Sequence, residues 1–303
     1  MELFEARLKK ETEKAEQTVL SYLPEAKGFE KTIHEAMNYS VGVGGKRLRP
    51  VIMYMMFKAF GGDNDEKVKP FMAALEMIHN YSLVHDDLPE MDNDELRRGN
   101  PTTHVKFGQA MAVLAGDALL NYAFETALKS KASAENIVEA LGVLADKAGI
   151  NGMIGGQVVD VESEKNGTRL THEQLVYISA NKTAALFQAA FMIGALLAGA
   201  DKESVSVMEQ IGYNLGVAFQ LQDDVLDIVS TTEVLGKPVG SDEKNGKATY
   251  VSYLGMEETI KEQKRLSKEA VGLMEEITQK KNLEKESADF VVELIKYLVE
   301  RKL

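Results

Sequence analysis

The sequence predicts an all-α fold, a single helical domain over residues 1–303, and three observations carry the prediction. Only six prolines occur, none between Pro101 and Pro238, and that interval is rich in alanine, leucine, glutamate, lysine and methionine, all good helix formers. Apolar residues recur at three- and four-residue steps in Phe71, Ala74, Leu75 and Ile78, and again in Leu215 and Phe219, the spacing of one helix face. No comparable stretch alternates strictly between apolar and polar, so no sheet is expected. With 45% hydrophobic residues the chain can fill one large core, and the lack of a 20- to 50-residue period argues against a solenoid.

The opening segment MELFEARLKKETEKAEQ mixes charges from its second residue and offers no apolar run of signal-peptide length. The chain has no cysteine, which removes disulfides, thiolate metal sites and cysteine nucleophiles. A cytoplasmic location is therefore expected, with catalysis resting on oxygen and nitrogen groups. The net charge of −12 excludes the ordinary basic surface that coats nucleic acid.

Along the chain, helices are expected to break at GGDNDEKVKP from Gly61, between Pro89 and Pro101, at EKNGTRLT from Glu164, and at LGKPVGSDEKNGKAT from Leu235. Within the third break, Thr171 followed by Gln174 fits a capping box and should open the next helix. The stretch from Thr183 to Ala200 is apolar all round and near the shortest length that spans a membrane, yet it holds Gln188, two glycines and many alanines. It reads as a buried central helix, with no transmembrane segment.

Asp-Asp occurs only at Asp86-Asp87 and Asp223-Asp224, each time after an apolar helical pattern. In QDDVLD, Asp223 and Asp227 are four apart and share a helix face. Their repulsion asks for a cation. In DDLPEMD, Pro89 should loosen the helix and let Asp92 fold back towards the pair. Carboxylates so placed suit Mg²⁺, which prefers oxygen ligands and is commonly shared with phosphate; solvated acidic turns are the plainer alternative. The basic residues add a reason for metal. Lys46, Arg47 and Arg49 follow the diglycine Gly44-Gly45; Arg97 and Arg98 follow the first aspartates; Lys182-Thr183 opens the apolar helix; Lys237 and Lys247 follow the second cluster. Carboxylate, divalent metal, diphosphate and then arginine or lysine form one chain of charge compensation.

The motifs HNYSLVHDDLPEMDNDELRRGNPTTH and AFQLQDDVLD, with GGKRLRP upstream and LGKPVGSDEKNGKATY downstream, closely resemble those of the trans-prenyltransferases. These are the short-chain isoprenyl diphosphate synthases, in particular the bacterial farnesyl diphosphate synthases. The resemblance implies an all-α fold around a central cavity, of the isoprenoid synthase type, usually as a homodimer. It implies that Asp86, Asp92 and Asp223 ligate three Mg²⁺ ions, supported by Asp87, Asp224 and Asp227. It assigns Arg97, Lys182, Thr183, Gln220, Lys237 and Lys247 to the allylic diphosphate, and Lys46, Arg49, His79 and Arg98 to isopentenyl diphosphate. Gln157, Asp160 and Asp117 look family-like without an assigned role.

The implied reaction joins isopentenyl diphosphate to dimethylallyl and then geranyl diphosphate, giving (2E,6E)-farnesyl diphosphate and pyrophosphate. Tyr81 and Ser82 lie five and four residues before Asp86, about one helical turn of roughly 5.4 Å, and are expected to stop the growing tail. A geranylgeranyl diphosphate synthase is the nearest alternative. A terpenoid cyclase needs no second diphosphate site, and a non-catalytic partner subunit or metal-binding scaffold needs neither the full aspartate set nor the full basic set.

Overall fold

The computed structural model describes residues 2–166, 170–229 and 249–300. The chain gathers into two compact units, Met1–Tyr54 with Asp63–Leu141, and Met55–Gly62 with Gly142–Leu303.

The first unit is built from α1 (Glu2–Ser21), α2 (Lys31–Gly42), the start of α3 (Leu48–Ala59), α4 (Lys69–Asp86), α5 (Thr103–Phe107), α6 (Gln109–Ala127) and the start of α7 (Ala134–Ala148). Helix α4 begins with Pro70 in its first turn, where no amide hydrogen bond is lost. It packs along α6 and against α1 and α2. Phe71, Ala74, Leu75 and Ile78, the predicted stripe, are fully buried, but every residue from Pro70 to Ile78 is buried too. Helix α4 is therefore a core helix covered on all sides, which a stripe alone understates.

One feature corrects the expectation of no sheet. Strand β1 (Leu96–Arg97) pairs antiparallel with β2 (Asn100–Pro101), Leu96 opposite Pro101 and Arg97 opposite Asn100. The turn residues Arg98 and Gly99 both have positive φ, 54° and 75°, as a type I′ hairpin requires. Two-residue strands are too short to alternate, and an Arg-Gly turn carries no Asn-Gly signature, so the pattern gave no sign of it.

The second unit holds α8 (Met153–Asn166), α9 (His172–Ile178), a π-helical turn (Ser179–Ala184), α10 (Ala185–Leu197), α11 (Lys202–Val229), α12 (Tyr250–Leu254), α13 (Met256–Lys281) and α14 (Lys285–Glu300). The capping box forms at the start of α9. The Thr171 hydroxyl accepts from the Gln174 amide at 3.2 Å, and the Gln174 side chain accepts from the Thr171 amide at 2.9 Å. All of α10 is buried, packed on α11, which packs in turn on α13. Phe187 and Phe191 are fully buried, worth roughly 2–3 kcal/mol each. By length and composition His172–Leu197 could cross a membrane, but 72% of its apolar window is buried within the protein, as in a core helix. Lys182-Thr183 does not open this helix as expected; the helix starts ten residues earlier, at His172, and widens to π geometry where the two residues sit.

Candidate active site

In the first unit, α4 ends at Asp86 and Asp87 caps it. Beyond Pro89 the chain turns back, and the Asp92 amide donates to the Asp86 carbonyl at 2.9 Å. The predicted return of Asp92 is thus a backbone hydrogen bond. Asp86 is half-buried and Asp92 exposed. Asp87 differs: it is 3% exposed and grips Arg97, whose Nε lies 2.7 and 3.0 Å from its two oxygens and whose Nη2 lies 2.5 Å from Oδ1. Burial pushes the Asp87 carboxyl upward while Arg97 pulls against it. With both oxygens held, Asp87 orients Arg97; Asp86 and Asp92 are the more accessible carboxylates of the motif.

The hairpin that carries Arg97 and Arg98 is pinned at its base. Thr102 donates its amide to the Glu95 carbonyl at 2.9 Å and its hydroxyl to the Asp94 carbonyl at 2.8 Å, and the Tyr39 hydroxyl donates to the Pro101 carbonyl at 2.6 Å. From the turn, Arg98 donates to the Gly44 carbonyl. Its guanidinium packs on Gly45, where a Cβ would stand 2.8 Å from Nη1, and a φ of 155° there favours glycine. Lys46 is exposed, while Arg49 and His79 are half-buried. Burial holds the His79 imidazole well below its usual range, and the positive field of Arg49, Arg98, Arg97 and Arg47 adds to the effect. A histidine disfavoured as a cation thus lies in the field of four arginines, of which Arg47 and Arg97 are already paired with Glu76 and Asp87 while Arg49 and Arg98 leave positive charge in excess.

Below this cluster, Tyr81 is buried and its hydroxyl has no hydrogen-bond partner among the described residues. Burial, with Asp86 nearby, pushes it up to about 12. Its ring meets His85 edge-on at 5.9 Å. Ser82 donates to the His79 carbonyl at 2.9 Å, so its hydroxyl is committed to its own helix.

In the second unit the π turn presents Lys182 and Thr183. Lys182 Nζ lies 2.5 Å from Asp160 Oδ2. Thr183 donates to Gln220 Oε1 at 2.8 Å, Gln220 Nε2 donates to Asp224 Oδ1 at 2.9 Å, and the Tyr250 amide donates to Asp224 Oδ2 at 2.9 Å. The Tyr250 side chain also hydrogen-bonds Ser179 in the π turn. Asp224, 5% exposed, therefore repeats the pattern of Asp87. Asp223 is half-buried and Asp227 buried on α11. Close backbone approach seats the turn: a Cβ on Gly156 would lie 2.3 Å from the Lys182 nitrogen, and one on Gly216 2.4 Å from the Ala184 Cα. Lys237 and Lys247 lie outside the described residues.

The sequence motifs give Asp160 no role and do not signal Tyr250, Gly156 or Gly216. Asp160 sits beside a lysine 22 residues away, and no local pattern signals such a pairing. The donor set fits Mg²⁺ in kind. Asp86 and Asp92 offer hard oxygens, and among the described residues no three acidic or histidine side chains make a ready metal cage. A Mg²⁺ ion held there would need further oxygen ligands beyond Asp86 and Asp92.

The family model described as polyprenyl synthetase matches residues 30–289. A geranylgeranyl diphosphate synthase of Cyanophora paradoxa is 45% identical over 263 residues, covering 86% of this chain and 87% of that one. A farnesyl diphosphate synthase of Geobacillus stearothermophilus is 45% identical over 252 residues, covering 81% and 83%. Among solved structures, a geranyltransferase of Helicobacter pylori, complexed with magnesium and isoprenyl diphosphate, superposes with a TM-score of 0.86 at 31% identity, covering 98% of this chain and 97% of that one.

Proposed function

The chain belongs to the polyprenyl synthetase family, and we propose that it condenses isopentenyl diphosphate first with dimethylallyl and then with geranyl diphosphate, releasing pyrophosphate and giving farnesyl diphosphate. The observation that carries this reading is the basic cluster in which Arg98, hydrogen-bonded to the Gly44 carbonyl and packed on Gly45, stands on the turn that carries Lys46 and Arg49. A prenyl cyclase ionises one diphosphate; an elongating enzyme must hold a second one intact, and this cluster suits that task.

Lys46, Arg49, His79 and Arg98 hold isopentenyl diphosphate. Arg97, Lys182, Thr183 and Gln220 hold the allylic diphosphate, with Lys237 and Lys247 assigned to the same group. Asp86, Asp92 and Asp223 are the ligands assigned to three Mg²⁺ ions, which when bound neutralise the departing pyrophosphate. Arg97 and Lys182 arrive already aimed, by Asp87 and Asp160, so little reorganisation is needed as charge builds on the leaving group. The double bond of isopentenyl diphosphate then attacks the allylic carbon, and the pyrophosphate takes the proton that is lost.

Relatives of equal identity are named for farnesyl and for geranylgeranyl products, so product length rests on Tyr81. Buried beneath Asp86, its ring closes the path of the tail. Labelled isopentenyl diphosphate with dimethylallyl, geranyl or farnesyl diphosphate, followed by chromatography of the dephosphorylated products, tests the whole reading. The wild type should stop at fifteen carbons and Tyr81→Ala should run longer. Tyr81→Phe should behave as wild type, since its hydroxyl has no partner to lose. A twenty-carbon main product from the wild type, or an unchanged blend from Tyr81→Ala, overturns the farnesyl assignment; no incorporation at all overturns the enzyme.

Helix α6 exposes Val113 and Leu114, with Leu128 just beyond its end, and such apolar surface supports a homodimer; sedimentation would check it. The burial of His172–Leu197 and the cysteine-free composition support a cytoplasmic protein.

A further inference from the structure

We infer that Arg47 is the positioning residue of the isopentenyl diphosphate turn, acting through a buried ion pair with Glu76 on α4. The sequence groups Arg47 with Lys46 and Arg49 as cations for a diphosphate; the structure corrects this, for its side chain is fully buried, as is nearly all of Glu76, and its charge is spent inside the protein. Its guanidinium Nη1 donates to Glu76 Oε1 at 2.6 Å, and Nη2 donates to the Val41 carbonyl at 2.5 Å and to Glu16 Oε1 at 3.3 Å. Asn80 closes the other side, donating to the Glu76 carbonyl at 2.8 Å. Buried ion pairs seldom stabilise a fold more than apolar residues of the same volume. Their value here is directional, since a guanidinium fork fixes an angle as well as a distance.

The backbone shows what is being fixed. Gly44, Gly45 and Arg47 have φ of 90°, 155° and 47°, so three of four successive residues are in the positive-φ region. Glycine adopts it readily and arginine does not. A non-glycine residue stays there only when its surroundings over-determine it, and the three-way grip on the Arg47 fork does so. On one side of Arg47 stands Lys46 and two residues on stands Arg49. Three residues after Glu76, on the same helix, stands His79. The pair therefore ties the turn that presents Lys46 and Arg49 to the helix that presents His79, while Arg98 rests on the outer face of the same turn at Gly45.

This rests on the proposed reading of Lys46, Arg49 and His79 as the isopentenyl diphosphate site. The test is the double variant Arg47→Met/Glu76→Met, which removes both charges at similar volume and leaves no lone buried ion, assayed beside Arg49→Met. The double variant should fold with a melting temperature near that of the wild type. Its KM for isopentenyl diphosphate should rise about tenfold, with kcat and the allylic KM changed by no more than about twofold. A wild-type KM in the double variant, with a raised KM in Arg49→Met, overturns the inference and leaves the site reading intact. A wild-type KM in both overturns the site reading and the inference with it. A uniform loss in kcat and both KM values, tracking melting temperature, marks Arg47 as merely structural and also overturns it. Should the double variant not fold, Arg47→Lys decides, because it keeps the charge and loses the fork: a raised KM for isopentenyl diphosphate supports the inference and a wild-type value overturns it.

Discussion

Asp87 and Asp224 are buried aspartates with both oxygens committed to protein donors, while Asp86 is half-buried and Asp92 exposed. Adjacent residues of one motif thus separate into a buried carboxylate that orients a neighbour and a more accessible one, which the proposed function assigns to metal. Opposite consequences follow for the same change. Asp87→Asn leaves the partly covered Arg97 with only Asp94, 3.8 Å away, as counter-charge, and weakening such a pair costs about 1–3 kcal/mol. Asp86→Asn changes a half-buried group and should move stability by no more than about 0.5 kcal/mol. It should nevertheless lower kcat on the order of 100-fold, because charge stabilisation in the transition state is lost. Thermal unfolding and steady-state turnover of the two variants check this; equal melting temperatures would show that the burial of Asp87 carries no such consequence. The separation was half legible in the sequence. Asp-Asp after an apolar helix announced a costly charge, and Pro89 announced the return of Asp92. Which member of each pair turns inward depends on Arg97 and Tyr250, whose approach no local pattern encodes.

At the level of elements, the π turn of Ser179–Ala184 shows where pattern reading stops. Propensity and periodicity specify that the stretch is helical and apolar, and the Thr171–Gln174 box marks its start, but both are insensitive to a single turn of wider hydrogen bonding. What distinguishes the turn is its packing. The backbones of α8 and α11 approach it at Gly156 and Gly216, and a methyl group at either would overlap its main chain. Gly216→Ala should therefore push Ala184 outward, costing about 1–3 kcal/mol by overpacking and disturbing the hydrogen bond from Thr183 to Gln220. The identical substitution at Gly272, exposed within α13 with no atom within 4 Å of the new Cβ, should stabilise by about 0.5–1 kcal/mol through helix propensity alone. Chemical denaturation of the pair gives the two signs directly. Destabilisation at Gly272 would mean that helix propensity does not govern the open site, and stabilisation at Gly216 would mean that the close approach to Ala184 carries no cost.

For the whole molecule the governing quantity is charge. The chain carries −12 overall, its aspartates are divided between both units, and its inward arginines are matched in part by Asp87 and Glu76. A bare diphosphate approaching such a protein meets repulsion from Asp86 and Asp92 as well as attraction from the arginines. Mg²⁺ alone meets two carboxylates without a complete set of ligands. Neither component should bind well by itself, and the two together should bind cooperatively, each supplying the charge that the other lacks. Binding to the folded state raises stability by mass action, about 2.7 kcal/mol at a hundredfold excess over Kd. The melting temperature should accordingly rise with Mg²⁺ and pyrophosphate together, and scarcely move with pyrophosphate in a chelator or with Mg²⁺ alone. Asp86→Asn/Asp92→Asn should remove most of the joint shift while leaving the metal-free melting temperature near its starting value. A full shift from pyrophosphate in chelator would mean that the arginines suffice and the aspartates serve some other purpose.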